Sequence, residues 1–94
     1  EKVTTEKLKR VAQAEAILRQ YGFYQLRVRS HDDLARIEVL PQEIDRFFEE
    51  SFRNKITQEF KKLGFIYVTL DLTGYRSGSM NELLKEEEMA IWKN

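Results

Sequence analysis

The hydrophobic positions near the start of the chain recur at the spacing of an amphipathic helix. The pattern predicts a helix over residues 5–20, begun by Thr4 or Thr5 as an N-cap and closed by Gly22 in a left-handed conformation. Four residues make up its expected apolar stripe: Leu8, Val11, Ala12 and Leu18. This helix is therefore expected to lie with one face on the protein core.

Apolar and polar residues then alternate with the two-residue period of strands over residues 25–29 and 35–39. The stretch between these segments has the residue types of a turn, so the pattern predicts an antiparallel hairpin. We expect a register in which paired residue numbers add up to 63, with Arg27 opposite Arg36. In that register one face is apolar and the other is charged.

A long helix and a third strand are expected to follow. Pro41 suits a first helical turn, and apolar residues recur at helical spacing until Gly64, which predicts one continuous helix. The alternating residues 66–72 predict a third strand, parallel to the second because a helical crossover precedes it. A capping-box pattern over residues 79–82 predicts a last helix. Residues 1–94 should thus form one α+β domain, in the order α-β-β-α-β-α, with a three-stranded mixed sheet packed by helices.

Composition narrows the function. The 16 basic and 16 acidic residues cancel, which argues against nucleic acid or an anionic membrane as a partner. Cysteine is absent, so this sequence holds no disulfide, thiolate zinc site or cysteine nucleophile, and no apolar run approaches the roughly 20 residues that span a bilayer. A domain of this size is marginally stable by itself, which favours self-association. Because the chain begins with Glu1 rather than Met, we expect it to be a piece of a longer protein.

The charged face of the predicted hairpin is the first candidate site. It presents Arg27, Arg29, Arg36 and Glu38, and the planar fork of arginine suits phosphate or carboxylate groups. Two interpretations are open. The face either binds an anion, or it is a solvated sheet surface on which Glu38 and Asp33 neutralise the arginines.

Two carboxylates stand where their position is informative. Glu15 falls inside the apolar stripe of the first helix, where a charge is costly to bury unless it is paired or bound to a metal. The simple alternative is an ion pair with Arg27 or Arg29 of the hairpin. Asp71, at the end of the third strand, is either catalytic or the cap of a turn.

A loop with two glycines is the last candidate. Residues 74–79 contain Arg76 and lead into a predicted helix N-terminus, where free N–H groups and the helix dipole favour an anion. The same pattern also fits a capped loop between a strand and a helix.

Three phrases stand in order along the chain and together carry a resemblance. They are Gly22-Phe23 leading to Leu26-Arg27-Val28-Arg29, then Asp33-Leu34-Ala35-Arg36-Ile37-Glu38-Val39, then residues 63–72 followed by Gly74-Tyr75-Arg76-Ser77-Gly78-Ser79 and Asn81-Glu82. In this order and spacing the chain resembles the C-terminal region of the ATP-dependent sacrificial sulfur transferases of the PP-loop pyrophosphatase superfamily, which serve nickel-pincer cofactor biosynthesis. The resemblance covers nearly the whole chain.

The resemblance implies a function for a parent enzyme. In the family, an N-terminal PP-loop domain uses ATP and Mg²⁺ to adenylate a carboxylate of a pyridinium mononucleotide, and an enzyme cysteine surrenders its sulfur. This chain contains neither the phosphate loop nor a cysteine, so we expect it to be inactive alone and to hydrolyse no ATP. The implied role is the substrate-phosphate-binding and oligomerisation domain of a cytoplasmic sulfur transferase.

The family's site residues match five positions of this chain. Arg27, Arg29 and Arg76 match arginines near the substrate phosphate, and Glu15 and Glu38 match carboxylates near the sulfur-donating cysteine that are associated with a divalent metal. The implied partners are the N-terminal PP-loop domain, a nucleotide-like substrate and further copies of the chain, since the family assembles as a ring-like hexamer.

Two other functions stay open. The chain could be the C-terminal unit of a related PP-loop ligase or amidotransferase without sulfur chemistry, or a free-standing interaction module. Glutaminase motifs encoded upstream would favour the ligase, and a PP-loop followed by a cysteine would favour sulfur transfer. A complete gene beginning near Glu1 would favour the module.

Overall fold

The computed structural model describes residues 4–76, which form a three-stranded sheet covered on one face by helices. The elements are α1 (Thr5–Gln20), β1 (Leu26–His31), β2 (Leu34–Val39), a 3-10 helix (Pro41–Phe48), α2 (Glu50–Lys62) and β3 (Tyr67–Leu70). Strand β2 lies in the middle, antiparallel to β1 and parallel to β3. The predicted α+β class and the mixed sheet are confirmed. The predicted last helix, and its loop from residue 77 onward, lie outside the described residues.

Helix α1 has the predicted ends but a different buried face. Thr4 Oγ1 accepts a hydrogen bond from the Lys7 N–H at 3.1 Å, which caps the first turn. The fully buried residues are Ala14 and Leu18, whereas Leu8 is 61% exposed. The expected stripe is therefore wrong at Leu8 and at Ala12, which is also exposed. Helix α1 contacts β1, and the face that carries Ala14 and Leu18 belongs to the core.

The hairpin forms, but its register is two residues away from the expected one. Arg27 lies opposite Glu38, and Arg29 lies opposite Arg36, so that paired numbers add up to 65. The expected pairing of Arg27 with Arg36 is wrong. A shift by two residues keeps every side chain on the same face, so the apolar alternation does not detect it.

The turn explains this register. His31 pairs with Leu34, and only Asp32 and Asp33 connect the strands. Asp32 has φ 52°, in the left-handed region that tight hairpin turns require. Aspartate tolerates this region better than most residues, so the strands close around Asp32 and Asp33.

The region after β2 is not one continuous helix. Glu49 has an extended backbone, with φ −79° and ψ 119°, between the 3-10 helix and α2. The Arg53 guanidinium donates hydrogen bonds to two carbonyl oxygens at the break, Phe47 O at 3.1 Å and Phe48 O at 2.9 Å. The break lets Phe47 enter the core while Phe48 stays 67% exposed. The prediction of a single helix is wrong at this point because side-chain donors replace the helical hydrogen bonds.

A single hydrophobic core joins the helices to one face of the sheet. Its buried members are Ala14, Leu18, Phe23, Leu26, Val28, Ala35, Ile37, Val39, Phe47, Ile56, Phe60 and Phe65. Phe23 stacks on Phe47 with ring centroids 5.4 Å apart, and Tyr21 meets Phe52 edge to face at 5.5 Å. No helix among residues 4–76 is long and apolar enough to cross a membrane.

Tyr21 also ties α1 to α2 through its polar end. Its hydroxyl donates a hydrogen bond to Glu59 Oε2 at 2.8 Å. This bond is the main cause that raises the pKa of Tyr21, with burial and the negative charge of Glu59 acting in the same direction.

Two glycines allow a test of how closely the chain after β3 approaches β2. A Cβ on Gly74 would lie 2.7 Å from Val39 O, whereas a Cβ on Gly22 would meet only the flexible end of Arg46, at 3.8 Å. Both have positive φ, 89° and 95°. We expect Gly22→Ala to lower the free energy of unfolding by about 1–2 kcal/mol, from the strained backbone alone. Gly74→Ala should lower it further, since backbone atoms cannot move aside as a side chain can. Urea unfolding of both variants measures this, and equal losses would contradict the close approach.

Candidate functional site

The face of the sheet opposite the core carries most of the candidate residues. Along β1 and β2, buried apolar residues alternate with charged ones, and β3 continues the pattern in parallel register. We call this surface the charged face, and it consists of Arg27, Arg29, Arg36, Glu38, Thr69 and Asp71. The Asp71 N–H donates to Ile37 O at 2.8 Å, which holds Asp71 beside β2 just past the end of β3.

Glu38 lies at the centre of the charged face. It is 8% exposed, and it is the one charged residue that is buried among residues 4–76. Its Oε2 atom is 3.3 Å from Arg36 Nη2 and 3.5 Å from Arg29 Nε. A buried carboxylate requires such cationic partners, because the loss of hydration is otherwise uncompensated. Glu38 therefore neutralises arginines on this face, as one of the two open interpretations expected.

The second carboxylate of the charged face is Asp71 and not Asp33. Asp71 Oδ2 is 3.8 Å from Arg36 Nε, while its Oδ1 accepts a hydrogen bond from the Thr73 N–H at 2.9 Å. Asp71 thus caps a turn, as one reading of the sequence expected, and also pairs with an arginine. The role expected of Asp33 in neutralising the arginines is wrong, because Asp33 belongs to the hairpin turn and supplies its backbone oxygen to Ile66 and Tyr67.

Arg27 lies on the charged face, and the backbone at Arg76 comes near one end of that face. Arg27 is exposed and lies opposite Glu38. It makes no ion pair or hydrogen bond with any other residue between 4 and 76. Arg76 is exposed and follows Tyr75, whose N–H donates to Val39 O at 2.6 Å. This bond brings the chain at Arg76 to the end of β2 that carries the pair of Arg27 and Glu38. The fold therefore places Arg27 and Arg29 on the charged face and brings the backbone next to Arg76 to the end of β2.

Glu15 lies apart from the charged face, at the outer edge of β1. Its Oε2 accepts a hydrogen bond from the Val28 N–H at 3.0 Å, and its Oε1 is 3.8 Å from Arg19 Nη2. The expected ion pair of Glu15 with Arg27 or Arg29 is wrong. Those arginines project from the face of the sheet, whereas Glu15 meets the strand at its edge and satisfies a backbone donor that β2 does not reach.

The two carboxylates predicted near a metal are thus engaged separately. Glu15 bonds to a backbone N–H and Glu38 to two guanidinium groups. Residues 4–76 hold no group of three or more histidine, aspartate or glutamate side chains that could bind a metal ion. A metal at either carboxylate would need ligands from other residues, so this role stays a prediction.

The sequence patterns did not predict a cavity that the fold contains. A cavity of about 250 Å³ opens between the break at Glu49 and β3, and most of its walls are apolar. The lining includes Phe47, Phe48, Ile56, Val68 and Leu70, together with Arg53. The cavity exists because the chain leaves the helical path at Glu49, and no residue pattern marks that break.

Fold and site together define a class of protein. It is a small α+β domain whose mixed sheet has one face packed by helices and one face lined with arginines and carboxylates. No family model matches the chain. Two longer proteins match it over about a third of their length.

The chain is 49% identical over 84 residues to an uncharacterized protein of Synechocystis sp., a match that covers 89% of this chain and 31% of that protein. It is 42% identical over 90 residues to the pyridinium-3,5-bisthiocarboxylic acid mononucleotide synthase of Lactiplantibacillus plantarum, which covers 96% of this chain and 32% of the synthase. The chain therefore spans about a third of the length of these curated relatives. The resemblance to the sulfur transferase family is confirmed, and it extends over nearly the whole chain.

The edge contact of Glu15 gives a testable consequence. Glu15→Ala leaves the Val28 N–H without its acceptor, so we expect the free energy of unfolding to fall by about 1–3 kcal/mol. Glu15→Gln retains an acceptor oxygen and should lose less. Hydrogen exchange at the Val28 amide should speed up in the alanine variant and change little in the glutamine variant. Equal exchange at Val28 in all three proteins would show that Glu15 does not hold the edge of β1.

Proposed function

We propose that this chain is the substrate-phosphate-binding and assembly domain of an ATP-dependent sulfur transferase that thiolates a carboxylated pyridinium mononucleotide. The observation that carries the proposal is the charge of the sheet face. The face carries three arginines, Arg27, Arg29 and Arg36, and two carboxylates, so one positive charge is in excess. The chain that bears it matches a third of a mononucleotide synthase. A mononucleotide carries a phosphate group, and guanidinium groups bind phosphate through paired, charge-assisted hydrogen bonds.

In this proposal Arg27, Arg29 and Arg76 contact the substrate phosphate. The exposure of Arg27 and Arg76 supports such a role, because a ligand can reach them without displacing core residues. Glu15 and Glu38 lie near the reaction centre. Each can contribute a ligand to a divalent metal there, and groups from elsewhere in the enzyme supply the remaining ligands. ATP and Mg²⁺ bind to a PP-loop domain of the same cytoplasmic protein, and that domain also supplies the sulfur.

The phosphate site can be tested on the chain itself. A ligand that binds only the folded state adds about 1.4 kcal/mol of stability at ten times its dissociation constant. The melting temperature should therefore be higher in phosphate than in chloride at equal ionic strength. Arg27→Ala should remove most of this difference, and Arg76→Ala should reduce it.

Lys9→Ala provides the matched control. Lys9 is exposed on α1, away from the charged face, and its loss changes the net charge by the same amount. The phosphate effect should persist in this variant. Equal melting of the parent chain in the two salts, or a phosphate effect unchanged by Arg27→Ala, would return the charged face to the interpretation of a neutralised sheet surface.

The assembly part of the proposal draws support from the other edge of the sheet. Among residues 4–76, strand β3 lies at an edge of the sheet, and large apolar residues in it or near it are exposed, namely Phe48, Ile66, Tyr67 and Leu72. Exposed edges of this kind pair with other chains unless charges prevent it. We infer that copies of the chain meet along this edge.

Sedimentation velocity at micromolar concentrations measures the association. We expect oligomers for the parent chain and a shift to monomer for Ile66→Lys, because a lysine on the edge opposes strand pairing. Leu8→Lys is the control, since Leu8 is similarly exposed but lies on α1. A monomeric parent chain, or equal effects of both lysines, would contradict assembly through β3.

A further inference from the structure

Arg36 also lies on the charged face, but the phosphate-binding residues proposed above are only Arg27, Arg29 and Arg76. It lies on the central strand, directly opposite Arg29 on β1 and beside Thr69 on β3. Like charges directly opposite each other across an antiparallel pair are destabilising. The fold nevertheless places these two guanidinium groups together, so other groups must offset their repulsion.

Glu38 and Asp71 offset it only in part. Both arginines approach the same oxygen atom, Glu38 Oε2, and Arg36 also lies 3.8 Å from Asp71. The Nε atoms of Arg29 and Arg36 are inaccessible to water, yet neither has a hydrogen-bond partner among the described residues. Buried donors without an acceptor are rare in folded proteins. The carboxylates therefore hold the inner sides of the two guanidinium groups without satisfying them.

The outer sides of these groups face solvent. The side chains of Arg29 and Arg36 are 38% and 40% exposed, whereas Glu38 beneath them is 10% exposed. Two guanidinium groups that share one carboxylate oxygen and are partly exposed can offer N–H donors to one ligand. A phosphate monoester, whose three terminal oxygens accept hydrogen bonds, suits guanidinium donors of this kind.

We propose that Arg36 is a phosphate-binding residue and forms with Arg29 a two-arginine clamp for a single phosphate group, with Glu38 and Asp71 as positioning residues. The inference rests on the proposed function, because it adds a residue to the same anion site. It also assigns Glu38 a task within this chain, which is to orient the arginines. The bound phosphate relieves the repulsion between Arg29 and Arg36 that the carboxylates leave.

Titration of the 94-residue chain with inorganic phosphate tests the clamp. Arg36→Gln should weaken phosphate binding about ten- to hundredfold, the effect of losing a charge-assisted contact. Arg36→Lys keeps the charge but loses the fork, so it should bind with intermediate affinity. Lys9→Gln, with the same change in net charge as Arg36→Gln, should bind like the parent chain.

The size of the phosphate effect separates binding from a structural role. Arg36→Gln removes a repulsion but also a cationic partner of buried Glu38, so the melting temperature in chloride should fall; in the clamp, the increase caused by phosphate should disappear as well. A structural role predicts a lower melting temperature in both salts with the increase retained. If Arg36→Gln does not fold, Arg36→Lys decides by its affinity, and an affinity equal to that of the parent chain would overturn the proposal.

The outcome also distinguishes this inference from the proposed function. Absence of any phosphate binding by the parent chain would contradict both. Binding that is lost in Arg27→Gln or Arg29→Gln but unchanged in Arg36→Gln would retain the phosphate site and exclude Arg36 from it.

Discussion

The two-residue turn at Asp32 and Asp33 determines the chemistry of the whole charged face. By fixing the hairpin register, it places Glu38 opposite Arg27 and Arg36 opposite Arg29. In the register two residues away, Arg27 would face Arg36 and the carboxylate of Glu38 would move along the sheet. Each arrangement contains one pair of opposed arginines, and only the observed one also sets Arg27 opposite Glu38, so the charges agree with the register that the turn imposes. The left-handed backbone of Asp32 sets that register, and the electrostatics follow from it.

This turn is held in place by a residue of the helical layer. Arg10 of α1 donates from Nη2 to Asp32 O at 2.6 Å and to Ser30 Oγ at 3.3 Å, and its guanidinium lies 4.2 Å from the centre of the Phe65 ring. Its Nη1 reaches Gly64 O at 3.4 Å, at the corner between α2 and β3. One cation thus connects the hairpin turn to both helices, stacked on a core ring that keeps water from one side of it. The geometry of the charged face is therefore coupled to the packing of the opposite face.

Features that depend on the local period of apolar residues were predicted from the sequence. Features that depend on turn geometry and close packing were not. The ends of α1, the faces of the hairpin and the parallel third strand follow from capping residues, alternation and crossover geometry, and all are confirmed. The register was missed because a shift of two residues preserves the alternation. The break at Glu49 was missed because Arg53 replaces helical hydrogen bonds with side-chain ones, which no periodicity shows. At the site, the arginines were found from their residue type, but the pairing of Arg36 with Glu38 and Asp71 required the register.

Stability alone gives a poor account of the charged face. Glu38 is nearly buried, and well-packed apolar residues usually replace a buried ion pair without loss of stability. Here the pair is also imperfect, since two arginines share one oxygen and two buried Nε donors lack acceptors. Arg10 Nε is a third such donor in the described fold, whereas the cap of α1, the turn and the aromatic core agree with one another. Natural proteins tend to break such consistency where function requires it. A phosphate cannot reach the buried Nε atoms, but it can bind the solvent-exposed parts of the Arg29 and Arg36 guanidinium groups, where its negative charge offsets the repulsion between them.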